Sequence, residues 1–250
     1  MIDTHAHLDA FDGDVAAVLA RAREAGVSRV IAVGTDLESC RKTLSLCEAE
    51  EGVYAVLGVH PHEAGEASDD DVSELRALLA HPKAVGVGET GLDHFRDYAP
   101  RQDQLRLFRA QAELAGELGK ALVVHTRAAD EETAAVLADL PADLPVILHC
   151  FSSAALLEPA LERGWYVSFA GNSTYPKAAE LRAAAARVPA ERVLAETDSP
   201  YLAPQAVRGK RNEPANVLHT LAVLADVRGE PPEALARTIE ENAELAFGLP

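Results

Sequence analysis

The chain has 250 residues, 48% of them hydrophobic and 25% charged, with 14 prolines, a composition that builds a large core and excludes a disordered chain. Its formal net charge of −17 repels polyanions and anionic membrane surfaces at long range, so any nucleic-acid partner has to be held by local cations or by metal. Three cysteines, Cys40, Cys47 and Cys150, without a Cys-x-x-Cys pair, point to reduced thiols rather than a disulfide frame.

Apolar, β-branched runs predict strands near residues 2–6, 29–33, 54–58, 85–88, 121–125, 146–149, 166–169 and 192–195. Helical patterns lie between them. Residues 14–25 begin at Asp14, read as an N-cap, and stop at Gly26. The run Asp69-Asp70-Asp71 reads as the cap of the next helix start. Residues 101–118 carry Leu105, Phe108, Ala112 and Ala115 at helical spacing and stop at Gly119, and residues 153–163 stop at Gly164. Two further helices near 214–227 and 232–246 follow with no strand between them; Pro214 suits the first turn. Strand–helix alternation implies parallel βαβ units, and eight of them fit one (β/α)8 TIM barrel spanning 1–250 as a single domain. An open doubly wound sheet is the alternative, weakened because no Gly-rich phosphate loop follows the first strand.

In such a barrel the chemistry sits at the C-terminal ends of the strands. His5 and His7 fall after the first strand, Glu89 after the fourth, His125 and His149 at the ends of the fifth and sixth, and Asp198 after the eighth. A lone histidine there is ordinarily a hydrogen-bonded rim residue, but these six converge on one rim. His5 and His7, two apart, point to one face and can share an ion with Asp198. His125 and His149, from adjacent strands, can share a second, with Glu89 bridging. Four imidazoles and two carboxylates suit Zn²⁺, Mn²⁺, Fe²⁺ or Ni²⁺ better than Mg²⁺. Two divalent ions ~3.5–4 Å apart activate water for hydrolysis, and Asp198 is placed to orient or deprotonate it.

Seven motifs in order carry a resemblance: Asp3-Thr4-His5-Ala6-His7-Leu8-Asp9, Gly58-Val59-His60-Pro61-His62, Gly88-Glu89-Thr90-Gly91-Leu92-Asp93, Val124-His125-Thr126-Arg127, His149-Cys150-Phe151-Ser152, the stretch from Glu196 to Pro204, and the stretch from Arg208 to Pro214. The chain resembles the TatD family of metal-dependent deoxyribonucleases over nearly its whole length. The family's ligand positions map onto the same six residues. The resemblance implies a divalent-metal nuclease, often acting from the 3′ end of DNA and supported by Mg²⁺ or Mn²⁺, so the expected cofactors are two divalent ions, Mg²⁺, Mn²⁺ or Zn²⁺. Three positions depart from the family pattern: His94 replaces a common Tyr, Ala128 an acidic residue, and Ser153 a Gly.

His62, Arg127, Lys210 and Arg211 are the candidate substrate contacts. Arg127 can grip a phosphate bidentately or pair with Asp130 or Glu131. The Arg208–Arg211 segment can offset the acidic field or simply pin a loop to acidic neighbours. His60 reads as a rim residue fixing its loop, Glu196 as an orienting group, and Cys150 as turned away from the site by strand alternation. The expected activity is deoxyribonuclease action on single-stranded or frayed DNA ends, with Glu89 and Asp198 central. The alternative is hydrolysis of a carboxylic ester or amide, such as an aminoacyl ester. No apolar run reaches the ~20 residues of a spanning helix and no leader is visible, so no membrane contact is expected; the cysteines and the resemblance imply a cytoplasmic protein, and without an obvious association stripe a monomer is expected.

Overall fold

The eight apolar runs become eight parallel strands: β1 (Ile2–Ala6), β2 (Arg29–Gly34), β3 (Val53–Leu57), β4 (Ala84–Asp93), β5 (Ala121–Arg127), β6 (Val146–Leu148), β7 (Tyr166–Phe169) and β8 (Val193–Ala195). The computed structural model describes residues 1–11, 13–96 and 98–250, and of Asp69 the backbone alone. The strands pair in chain order in one sheet. The ring is joined where His7 N–H donates to Ser199 O (2.7 Å) and Asp198 N–H to His5 O (2.9 Å), at the end of β1 and just past β8. The chain is a (β/α)8 barrel, as expected.

The helices are α1 (Val15–Glu24), α2 (Leu37–Ala49), α3 (Asp69–Leu78), α4 (Arg101–Leu118), α5 (Asp130–Ala138), α6 (Leu157–Arg163), α7 (Ala179–Arg187), α8 (Val217–Arg228) and α9 (Pro232–Phe247). One helix follows each of β1 to β7, and both α8 and α9 follow β8, with α9 packed against β1 and β8. The helix α4 stops at Gly119, whose φ of +61° turns the chain left-handed, a conformation other residues take at a cost. The barrel strands supply fully buried side chains such as Ile2, Ile31, Leu57, Leu92, Val124, Phe169 and Leu194. Each gains about 1.5–3 kcal/mol over exposure, so the core holds the ring and its rim is left free to carry polar groups.

Three local expectations change. Asp14 precedes α1 but its side chain makes no capping bond; its carboxylate faces Arg21 at 3.7 Å. The helix α3 is entered through Ser68, whose N–H donates to the Asp71 carboxylate (2.6 Å), so the acidic run supplies the third turn position rather than the cap. Most relevant to function, β4 runs to Asp93 rather than stopping near 88. Its register against β5 shifts between Val87 and Thr90 and then resumes from Thr90 to Asp93. The second half is a glycine-rich stretch with little apolar signal. A Cβ at Gly91 (φ +140°) would run into the His125 carbonyl oxygen, so glycine there permits the close approach of β4 to β5. Glu89 therefore sits at the irregularity inside β4, flanked on both sides by paired backbone.

Candidate metal centre

Glu89 lies at the centre of the rim and is 3% exposed. Its two oxygens face different groups. Oε2 lies 3.2 Å from His5 Nε2 and 3.7 Å from His7 Nε2. On the same side, Asp198 Oδ1 is 3.2 Å from His7 Nε2 and 3.9 Å from His5 Nε2. Oε1 lies 2.8 Å from His125 Nδ1, 3.0 Å from His149 Nε2 and 3.4 Å from His60 Nε2. The His5 and His149 rings stack at 3.8 Å between the two groups. The structure thus brings all six strand-end residues together, divided by one carboxylate.

Behind the imidazoles stand further carboxylates. Glu196 Oε1 meets His149 Nδ1 at 2.8 Å and also accepts the Cys150 N–H at 2.8 Å. A proton on His149 Nδ1 then satisfies Glu196 and fixes the ring with Nε2 toward Glu89, where loss of the Nε2 proton would free a lone pair for an ion. Asp93 Oδ2 does the same for His125 Nε2 at 3.2 Å and holds His62 Nε2 at 2.9 Å. Asp93 is itself fixed by the N–H groups of Phe95 (3.0 Å) and Arg96 (2.9 Å). Asp3, fully buried, accepts from Thr197 N (2.8 Å), Thr197 Oγ1 (2.5 Å) and His5 N (3.3 Å), tying His5 to the segment that carries Asp198.

The electrostatics follow from burial set against these neighbours. Burial works to raise the Glu89 pKa, but His149 and His60 charge and hydrogen bonds from His125 and His149 hold it well below the carboxylate range. Burial likewise opposes ionisation of Asp198, and the His7 hydrogen bond with the charges of His149, His7 and His5 holds it low. Burial lowers His5, helped by the charge of His149, and takes His60 down to about 4. For His7, His125 and His149 burial is outweighed by the facing carboxylates, and all three rise above the ordinary imidazole value.

The residues fit divalent metal. Ionised carboxylates and imidazole lone pairs are the donor set such ions need. Both ring nitrogens of His5 are buried without a hydrogen-bond partner among the described residues, which is costly unless a further ligand meets them. Groups able to hold an ion include His5, His7 and Glu89, and His60, Glu89 and His125.

His60 and Asp93 are members of the site that the sequence reading left out. His60 also accepts the His62 N–H (3.1 Å), so it fixes its loop and faces Glu89 at once. Its signals were its position just past β3 and its place in the Gly58–His62 motif. Cys150 corrects another expectation: β6 ends at Leu148, alternation stops there, and Cys150 (φ +45°) turns back to line the cleft. Ala128, Cys150, Asp198 and Leu202, the non-glycine positive-φ residues among those described, all follow β5, β6 or β8 on this rim. Backbone of this kind collects at functional sites.

The centre lies in a cleft of about 900 Å³ whose lining includes His62, Arg127, Arg96, Tyr98 and Tyr201. Arg127 makes no pair with Asp130 or Glu131 among the described ion pairs; its guanidinium lies 4.0 Å above the Phe95 ring. Lys210 and Arg211 are not among the lining residues. Arg211 donates to the Ala10 carbonyl oxygen and lies 4.3 Å over Phe11, bracing the loop after β8 against the turn after β1. His94 faces Glu132 of α5 at 3.5 Å, and Ser153 caps the turn before α6 by accepting the Leu156 N–H (3.3 Å).

Comparison with known proteins places the chain among metal-dependent hydrolases. The profile of the family described as TatD related DNase matches residues 2–248. A Mycobacterium tuberculosis protein named as an uncharacterized metal-dependent hydrolase TatD is 40% identical, over 100% of this chain and 98% of its own. The 3′-5′ ssDNA/RNA exonuclease TatD of Erwinia billingiae is 36% identical, over 93% of this chain and 92% of its own. The crystal structure of YJJV, a TatD homologue from Escherichia coli K12, superposes with a TM-score of 0.92 at 33% identity, covering 100% of this chain and 98% of that one. The chain belongs to the TatD family of metal-dependent hydrolases.

Proposed function

We propose that the protein is a 3′-5′ exonuclease that hydrolyses phosphodiester bonds in single-stranded DNA or RNA, or at frayed ends, using two divalent ions. The observation that carries this reading is the division of Glu89, one oxygen toward His5 and His7 and the other toward His125 and His149. Relatives named as 3′-5′ ssDNA/RNA exonucleases support the substrate. Divalent ions bound there supply Lewis acidity and make water a nucleophile near neutral pH.

The protein's own part is positional and electrostatic. Glu89, its pKa held low, stays ionised and serves both sides. Asp198, also held low beside His7, orients the attacking water and takes its proton. Glu196 and Asp93 keep His149 and His125 in one tautomer and one orientation. Arg127 and His62 meet the phosphate, Arg127 with planar paired N–H groups. Mn²⁺-reconstituted protein is expected to remove a 3′-terminal label from single-stranded DNA before a 5′ label. Intact strands in the presence of metal-loaded protein overturn the reading. The charge of −17 favours a second reading, hydrolysis of a carboxylic ester or amide such as an aminoacyl ester, and including such esters in the same assay separates the two.

A further inference from the structure

Large aromatic side chains normally bury, yet Phe95, Tyr98 and Tyr201 are 62%, 64% and 58% exposed. Tyr98 and Tyr201 line the cleft of the candidate metal centre, and Phe95 packs against Arg127, which lines it too. Tyr98 follows β4 and meets the His62 ring edge-on at 4.8 Å. Tyr201 follows β8 and meets the His7 ring at 5.7 Å. β4 and β8 lie across an eight-stranded ring from one another, so the two tyrosines flank the carboxylate centre from opposite sides of the cleft.

Two arginines lie near these rings, one stacked and one at longer range. Arg127 lies over Phe95 at 4.0 Å; Arg96 stands 5.8 Å from Phe95 and 5.9 Å from Tyr98. Neither guanidinium pairs with a carboxylate among the described residues, in a chain where 40 acidic residues face 23 Lys and Arg. A guanidinium stacked on a ring keeps its N–H donors in plane and free for a planar or tetrahedral oxyanion. The rim therefore offers exposed π faces on both sides of the centre and two ready anion donors between one tyrosine and the metal ligands.

We infer that this rim is a subsite for unpaired nucleobases: Tyr98 and Tyr201 stack bases on either side of the reacting phosphate, Arg127 and Arg96 hold the adjoining phosphates, and Phe95 positions Arg127. The inference rests on the nuclease reading and adds its selectivity. A base is available for stacking on a side chain only when it has left its duplex partner, so the subsite selects single strands and frayed ends by their bases. It also answers the long-range repulsion of the acidic surface, because stacking is not screened or opposed by net charge.

The test uses a 5′-fluorescein single strand and the same strand made abasic at its three 3′-terminal positions. Mn²⁺-loaded protein is assayed for cleavage, and binding is followed by anisotropy in excess EDTA. Wild-type protein is expected to prefer the base-bearing strand about tenfold in kcat/KM and in Kd. Tyr98→Ala and Tyr201→Ala each reduce that preference for the base-bearing strand severalfold; Tyr98→Phe, which keeps the π face, retains it. Phe95→Leu raises KM about threefold on both strands with kcat kept, and Phe95→Tyr restores KM. A kcat loss in Phe95→Leu overturns its positioning role. Cleavage that ignores the bases overturns the subsite and leaves the nuclease reading standing. Base-dependent binding without cleavage keeps the subsite and overturns the nuclease reading. Neither binding nor cleavage overturns both.

Discussion

The two ends of the barrel treat charge in opposite ways. Where the strands begin, cations meet carboxylates or carbonyl oxygens. The N-terminal amine of Met1 lies 3.6 Å from Glu240, and Arg29 meets Glu240 at 3.0 Å and Glu244 at 2.6 Å. Lys120 donates to Ala84 O at 2.5 Å, Lys83 to Glu50 O at 3.0 Å, and Asn242 to the carbonyls of Ala190 (2.7 Å) and Val193 (2.9 Å). Where the strands end, imidazoles and carboxylates crowd together, His5 has no hydrogen-bond partner for either nitrogen among the described residues, and the backbone takes left-handed turns at Asp198 and Cys150. One end is closed by its own groups; the other gathers donors that could hold a divalent ion. Substitutions at the two ends should therefore separate activity from stability.

The largest contrast is expected at the shared carboxylate. Glu89→Gln removes the one charge that serves both sides, so metal content measured on purified protein should fall at both sites and turnover should approach background. Retention of one full equivalent of metal would contradict a bridging role. Asp198→Asn comes next. It keeps the side-chain shape and loses the proton acceptor, so kcat should drop about 10³-fold with the fold intact by circular dichroism. A normal rate in that variant removes Asp198 from the proton path.

Glu196→Gln acts through His149 and is expected to cost about 10–100-fold in metal affinity. Acid should weaken metal binding in the same direction. His7, His125 and His149 hold protons more strongly than a free imidazole because Asp198, Glu89 and Glu196 face them against the opposing effect of burial. Protons must leave as metal enters, so affinity rises with pH through and above the ordinary imidazole value. Calorimetry in buffers of different ionisation enthalpy reads this as proton release; a buffer-independent enthalpy contradicts it. The smallest effect lies at the other end. Arg29→Ala should leave kcat/KM unchanged and lower the unfolding free energy by ~1 kcal/mol, since its pairs are partly exposed and screened. An activity loss there would blur the division between the two ends.

Much of this molecule is readable along the chain because the signals are local. Apolar runs bounded by turn residues mark seven of the eight strands closely, and Gly119 and Gly164 end their helices where the pattern says they should. Histidines and carboxylates just past those runs then have to share a rim, since parallel strands all finish on one side. The second half of β4 was hidden for the same reason in reverse: Gly88-Glu89-Thr90-Gly91 has no apolar alternation, and only its pairing with β5 makes it a strand.

The sequence by itself therefore determined the barrel, its polar rim and the six residues that meet there. Tertiary structure decided their company. It brought His60 and Asp93 into the centre, turned Cys150 toward the cleft, laid Arg127 on Phe95 instead of beside Asp130 or Glu131, and kept Arg211 on Phe11, outside the cleft lining. These outcomes depend on register between neighbouring strands and on how loops from distant strands meet over the ring. Local periodicity says which residues reach the rim, and only the closed barrel says which of them touch.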